Sequence, residues 1–283
     1  SKKAINLTPM RAGTLGGQYL TKRKGRGMEF SEARLYQPGD DVRHIDWRVT
    51  ARTGRTHTKL FREERERPVM LVLDQSGSMF FGSQKRLKSV QSARFAALIG
   101  WKSLLRGDRV GGAIFSERFH NQFRPKCDRK HYLRFLSKIM KFHNSIVESM
   151  NIGEWKFNSE FLMSQALRRL RYVVQPGSLV YVFSDFYCFD DECRKHLFEL
   201  SKQSQVKACV VIDPLEKDIP LSGKYAMSDG INITWINAGN PETMKKYNSA
   251  YIEQQNRIET DLRLCGVNLM KISTVDNLTH FLE

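Results

Sequence analysis

The clearest pattern in the chain is a short, unbroken apolar run, Val69-Met70-Leu71-Val72-Leu73, that follows Pro68 and stops at Asp74. An apolar run of strand length without polar alternation is what a strand covered on both faces requires. Leu87, Val90, Phe95, Leu98, Trp101 and Leu105 then recur at helical spacing, which predicts a helix over 85–105. The alternation continues with a strand over Arg109–Phe115, a hairpin partner over Arg118–Phe123, and helices over His131–Phe142 and Phe161–Leu170. After the Pro176-Gly177 turn, Ser178–Ser184 reads as a second central strand, and it too stops at an aspartate, Asp185. Asp191–Leu200 reads as a helix, Val206–Ile212 as a third central strand, Ile231–Ile236 as a strand and Met244–Leu264 as a long helix. Val267–Ile272 follows as a late strand and Asn277–Leu282 as a last helical turn. Strands alternating with helices predict an α/β fold: a doubly wound, mostly parallel sheet with helices on both faces.

The front of the chain reads differently. Residues 1–28 are rich in Gly and basic side chains and predict loose or extended chain, followed by a polar stretch from Glu29 to Trp47 and a strand-like alternation over Thr56–Phe61. Residues 1–67 hold 16 Lys and Arg against 8 Asp and Glu, within a chain whose formal net charge is +16. That balance favours acidic partners or polyanions. Binding of nucleic acid through this segment is kept as an alternative, although no zinc-finger spacing, basic-aromatic sheet pattern or basic recognition helix accompanies it. The expected division is 1–67 as a basic extension and 68–283 as the α/β domain, with its core at 68–215.

Other classes recede. No apolar run reaches membrane-span length and no signal-peptide pattern opens the chain, so the default expectation is a soluble cytoplasmic protein. The five cysteines are odd in number and form no Cys-x-x-Cys pair, which argues against a disulfide framework or a zinc ribbon. There is no Gly-x-x-x-x-Gly-Lys-Ser/Thr loop, Ser76 stands where a haloacid-dehalogenase phosphatase needs its second Asp, and Asp74 stands where a nucleophile elbow needs Gly. No nucleophile, base and orienting group can be assembled, so no catalytic residue is assigned. A metal-dependent hydrolase at Asp74 is the remaining enzymatic alternative.

The chemistry gathers where two buried strands end. Ligands of open α/β sheets bind beyond the carboxyl ends of the strands, and Asp74 and Asp185 both stand there. In Asp74-Gln75-Ser76-Gly77-Ser78 the three oxygen-bearing side chains alternate, so all can face one point, and Gly77 permits a tight turn. Carboxylate and hydroxyl oxygens are hard ligands, suited to Mg²⁺ or Mn²⁺. The same residues could instead cap the next helix and satisfy loop amides.

VMLVLDQSGSM, Val69–Met79, resembles the metal-ion-dependent adhesion site of von Willebrand factor A domains. The resemblance implies Asp74, Ser76, Ser78 and Asp185 as cation ligands and covers about residues 68–215. The family's threonine ligand has no counterpart in Trp155-Lys156-Phe157-Asn158-Ser159-Glu160, where Ser159 is the best substitute. Phe186 follows Asp185 where the family usually has Gly. Ahead of this, GRGMEFSEARLYQPGDDVRHIDWRVTARTGRTHTKLFREE resembles the hallmark of the family named domain of unknown function 58. That resemblance implies a non-enzymatic adaptor for a MoxR-type AAA+ ATPase or its client, in chaperone-like or assembly work. Within the hallmark, Arg34, Asp40, Asp41, Arg43, Asp46 and Trp47 are expected to form a guanidinium–carboxylate network beneath Trp47, serving structure or partner recognition.

Overall fold

The computed structural model describes residues 28–63, 67–116, 119–151, 162–219, 223–228 and 233–278. They fall into two compact units that meet in sequence between Glu66 and Arg67.

The first unit pairs β1 (Met28–Leu35) antiparallel with β2 (His57–Glu63). β1 lies where the sequence reads only as loose chain and polar stretch, because its residues show no clean two-residue alternation. Between the strands, the chain turns at Gly39, whose φ of 106° suits glycine. It then makes a short 3₁₀ turn over Val42–His44 and the helix α1 (Trp47–Thr53). The buried Asp46 caps α1 by accepting from the Arg48 and Val49 amides, both at 3.1 Å. Gly54 ends it in the left-handed region.

The second unit is built on a six-stranded sheet. Its strands are β3 (Pro68–Asp74), β4 (Arg109–Phe115), β5 (His120–Lys126), β6 (Leu179–Ser184), β7 (Gln205–Ile212) and β10 (Asn268–Ser273). Their order is β10-β7-β6-β3-β4-β5 and only β5 runs antiparallel. Two crossover directions leave from the central β3, which is the doubly wound arrangement expected from the pattern. β5 is the anticipated hairpin partner, shifted two to three residues downstream. β8 (Lys224–Ser228) and β9 (Ile233–Asn237) form a separate two-stranded ribbon, so the strand expected over Ile231–Ile236 exists but stays outside the main sheet. β10 shows that the C-terminal residues finish the same sheet.

The sheet faces explain the apolar runs. On one face Met70, Val72, Val180, Val182, Ala208 and Val210 pack beneath α4 (Leu162–Val173), α5 (Asp191–Gln203) and α7 (Pro241–Leu264). On the other, Val69, Leu71, Leu73, Tyr181, Phe183 and Cys209 pack beneath α2 (Lys88–Leu105) and α3 (Arg129–Asn151). Every β3 side chain is buried, and the strand stays apolar without alternation until it ends at Asp74. A one-turn helix α6 (Pro214–Lys217) follows β7. Among the described residues no helix is long and apolar enough to cross a membrane.

Candidate functional site

Parallel pairing of β3 with β6 sets Leu73 beside Phe183, so both strands release the chain at the same rim. Asp74, the last residue of β3, is buried. One of its oxygens accepts from the Ser76 amide at 2.8 Å and the other from the Ser184 hydroxyl at 2.6 Å. The Ser76 and Ser78 hydroxyls lie 3.3 Å apart at the half-buried lip of the loop. The loop thus bonds the Ser76 amide to Asp74 and keeps the Ser76 and Ser78 hydroxyls in contact. Burial pushes the Asp74 carboxyl up to about 6, the Asp185 charge pushes the same way, and the bonds from Ser184 and Ser76 oppose both.

Asp185 stands at the same rim, but its carboxylate is taken. One oxygen accepts from the Tyr187 amide at 3.2 Å and the other from the Lys88 ammonium at 2.8 Å. Lys88 also donates to Glu216 at 2.7 Å, with the Tyr187 ring 4.9 Å from its nitrogen. The Lys88 side chain is 1% exposed, against 4% for Asp185 and 12% for Glu216. Burial works to lower the Lys88 value; the charges of Asp185 and Glu216 outweigh it and hold the ammonium above its ordinary value. Glu216 is itself placed by the capping box of α6, where its second oxygen accepts from the Asp213 amide at 2.9 Å. Asp213 in turn accepts from the Thr274 hydroxyl at 2.6 Å, the Ser83 amide at 3.0 Å and the Ser83 hydroxyl, which ties the loop after Ser78 to the ends of β7 and β10.

After Asp185 the backbone turns through Phe186 at φ 58°, the one non-glycine residue with positive φ among those described. This is where the family resemblance leads one to expect Gly. Such a backbone costs an L-residue about 1–2 kcal/mol. Phe186 sustains it because its ring is buried in the core beside Phe189, 5.8 Å away, and its amide donates to the Ser184 hydroxyl at 3.0 Å.

Asp74, Ser76, Ser78 and Asp185 thus share one rim, while Ser159 lies outside the described residues. The donor chemistry of Asp74, Ser76 and Ser78 suits a hard cation, and among the described residues no cation pairs with the buried Asp74. Asp185 already has one in Lys88. Among the described residues no group of three or more His, Cys, Asp or Glu side chains is placed to hold a metal. Sequence reasoning passed over Ser184, Lys88, Asp213 and Glu216. One clue to Lys88 was available: it falls in line with Ser92, Phe95, Ile99 and Ser103 on the buried stripe of α2, where a solvated lysine has no place.

In the first unit the hallmark residues resolve into separate contacts. Arg34 pairs with Asp40 at 2.7 Å, Arg43 with Asp41 at 2.7 Å, and Asp46 is occupied as a helix cap. The Gln37 amide and then Arg34 hold the Asp40 carboxyl below its ordinary value, and Arg43 brings Asp41 down to about 2. Trp47 does not cover them: it is the first residue of α1 and 70% exposed, because the Asp46 cap fixes the helix start and turns its indole outward.

The profile of the family described as "Protein of unknown function DUF58" matches residues 32–257. The uncharacterized proteins Mb1516 of Mycobacterium bovis and Rv1480 of Mycobacterium tuberculosis are each 27% identical over 263 residues, spanning 93% of this chain and 80% of theirs. Among solved structures, BatB from Bacteroides thetaiotaomicron overlaps 76% of this chain and 95% of its own at 16% identity and a TM-score of 0.45. The SpRpn10 VWA domain overlaps 77% and 94% at 10% identity and a TM-score of 0.37. These overlaps are loose, and the fold assignment rests on the strand order above.

Proposed function

This chain belongs to the DUF58 family, and from that footing we propose that it is a non-enzymatic adaptor gripping a partner protein at the rim formed by Asp74, Ser76 and Ser78. The observation that carries this is Asp74 at the carboxyl end of the central strand, with the Ser76 amide on its carboxylate and the Ser76 and Ser78 hydroxyls in contact beside it, at the rim where open α/β sheets bind their ligands. The Ser76 and Ser78 hydroxyls can donate to a partner carboxylate. Mg²⁺ or Mn²⁺, when bound, would be held by Asp74, Ser76 and Ser78 and would add charge attraction for that carboxylate. The proposed partner is a MoxR-type AAA+ ATPase or its client, as the sequence resemblance implies. Capture of the purified ATPase by immobilised full-length chain tests this. Wild type should retain it, and Ser76→Ala/Ser78→Ala should lose most of the retention while keeping its melting temperature. Equal retention by both would remove the rim from the account.

A second reading has one observation in its favour. α3 carries Arg129, Lys130, Arg134, Lys138 and Lys141, and its first acidic residue is Glu148. A polyanion bound there would dissociate steeply with salt; binding of single- or double-stranded DNA that stays weak and flat between low and physiological salt would dismiss it.

A further inference from the structure

Lys88 is the least expected residue of the rim. A lysine side chain carries a large entropy and desolvation cost when buried, and an apolar residue would fill the same space on α2 without it. What Lys88 gains is two carboxylates that it did not have to gather. Asp185 is delivered by the end of β6, and Glu216 is held by the α6 capping box. The lysine backbone is equally fixed: its amide donates to the Phe81 carbonyl at 2.8 Å and its carbonyl accepts from the Ser92 hydroxyl at 2.9 Å. Two oxygens from two separate elements, aimed at one cationic centre in a nearly dry site, form the arrangement that elsewhere receives a hard metal ion. Here they receive an ammonium at 2.8 and 2.7 Å.

Resting on the rim assignment above, we infer that Lys88 is a built-in counter-cation: its ammonium holds the place between Asp185 and Glu216 that a divalent ion would take, and leaves the rim only Asp74, Ser76 and Ser78 to bind with. Lys88 is then the residue that sets the rim's appetite for divalent cations. While it is present, the Asp185 carboxylate is committed to the Lys88 ammonium at 2.8 Å, and the half-site that remains holds a divalent ion weakly. Once it is removed, two buried carboxylates stand unpaired, and a divalent ion can neutralise them.

The test is Mn²⁺ titration of the full chain, read by the loss of the free-ion electron paramagnetic resonance signal, alongside thermal melting with and without Mn²⁺. Wild type should bind weakly and melt at nearly the same temperature in both conditions. Lys88→Met should gain a single site about tenfold or more tighter, and Mn²⁺ should raise its melting temperature, since a ligand of the folded state alone stabilises it. The gain should vanish in Lys88→Met/Asp185→Asn. Should Lys88→Met fail to fold without the ion, Lys88→Gln, which keeps a polar group between the two carboxylates, is read in the same titration with the same expected gain. Wild type binding Mn²⁺ as tightly as the Lys88 variants, or folded Lys88 variants gaining no site, would overturn the inference. Either result leaves partner capture by the rim standing or falling on Ser76→Ala/Ser78→Ala alone, so the two failures are told apart.

Discussion

Both units of this chain set carboxylates against cations, with opposite consequences. In the second unit Lys88, Asp185 and Glu216 meet in a site shielded from water. In the first, Arg34–Asp40 and Arg43–Asp41 meet at the surface, with the Arg43 side chain 84% exposed. The distances are nearly equal, so distance does not distinguish them; solvent does. A buried charge whose partner is removed cannot be rehydrated, whereas an exposed one returns to water and its pair contributes little. The dense charge of the hallmark segment thus sits in surface pairs that contribute little, while a single buried lysine on α2 joins Asp185 to Glu216.

The sharpest way to break this contrast is Lys88→Met. Without divalent ions it should lose about 3–5 kcal/mol, read by denaturant unfolding, and 1 M salt should not restore it because the site excludes screening ions. A loss below about 1 kcal/mol would place Lys88 in the same class as the surface pairs.

Phe186 sharpens the buried side through its backbone. Phe186→Ala and Phe186→Gly both remove a core ring, a change that typically costs about 3–5 kcal/mol. Only glycine also releases the positive φ, so Phe186→Gly should be the more stable of the two by about 1 kcal/mol. The usual order, alanine above glycine, would show that the turn after Asp185 carries no strain.

On the exposed side, Asp46→Ala should cost about 1 kcal/mol by uncapping α1. This would be the largest loss from any single described hallmark carboxylate, because among the described residues of the hallmark only Asp46 is a buried carboxylate. Arg43→Ala should leave the melting temperature unchanged. The depressed Asp41 value nonetheless has a visible sign. Whatever the pair contributes is complete above the ordinary carboxylate value of 3.8 and is lost as pH falls through about 2. A carboxyl carbon NMR titration should place the Asp41 midpoint well below 3.8 in wild type and nearer to it in Arg43→Ala.

The same contrast explains what the sequence disclosed. The central strands were legible because burial on both faces leaves no polar residue to confuse the run, as in β3 and β6. Asp74 and Asp185 were legible because each stops such a run. β1 was not, since a two-stranded ribbon imposes no apolar alternation on every position. Lys88 escaped notice because its partners lie 97 and 128 residues away in sequence, and no local pattern reports a contact at that range. The guanidinium–carboxylate pairs expected in the hallmark form, but not as one network under Trp47, for the converse reason. Charges close in sequence look like a cluster, yet the Gly39 turn and the Asp46 cap part them into separate pairs.

The most direct measurement sets the two regions against each other on one partner. Affinity for the purified MoxR-type ATPase is measured for wild type, for Ser76→Ala/Ser78→Ala at the rim, and for Arg34→Ala/Arg43→Ala in the hallmark unit. The account predicts that the rim variant weakens binding about tenfold or more, as expected when about 1.4 kcal/mol of contact is lost, and that the hallmark variant binds like wild type. A hallmark variant that loses binding while the rim variant keeps it would contradict the account.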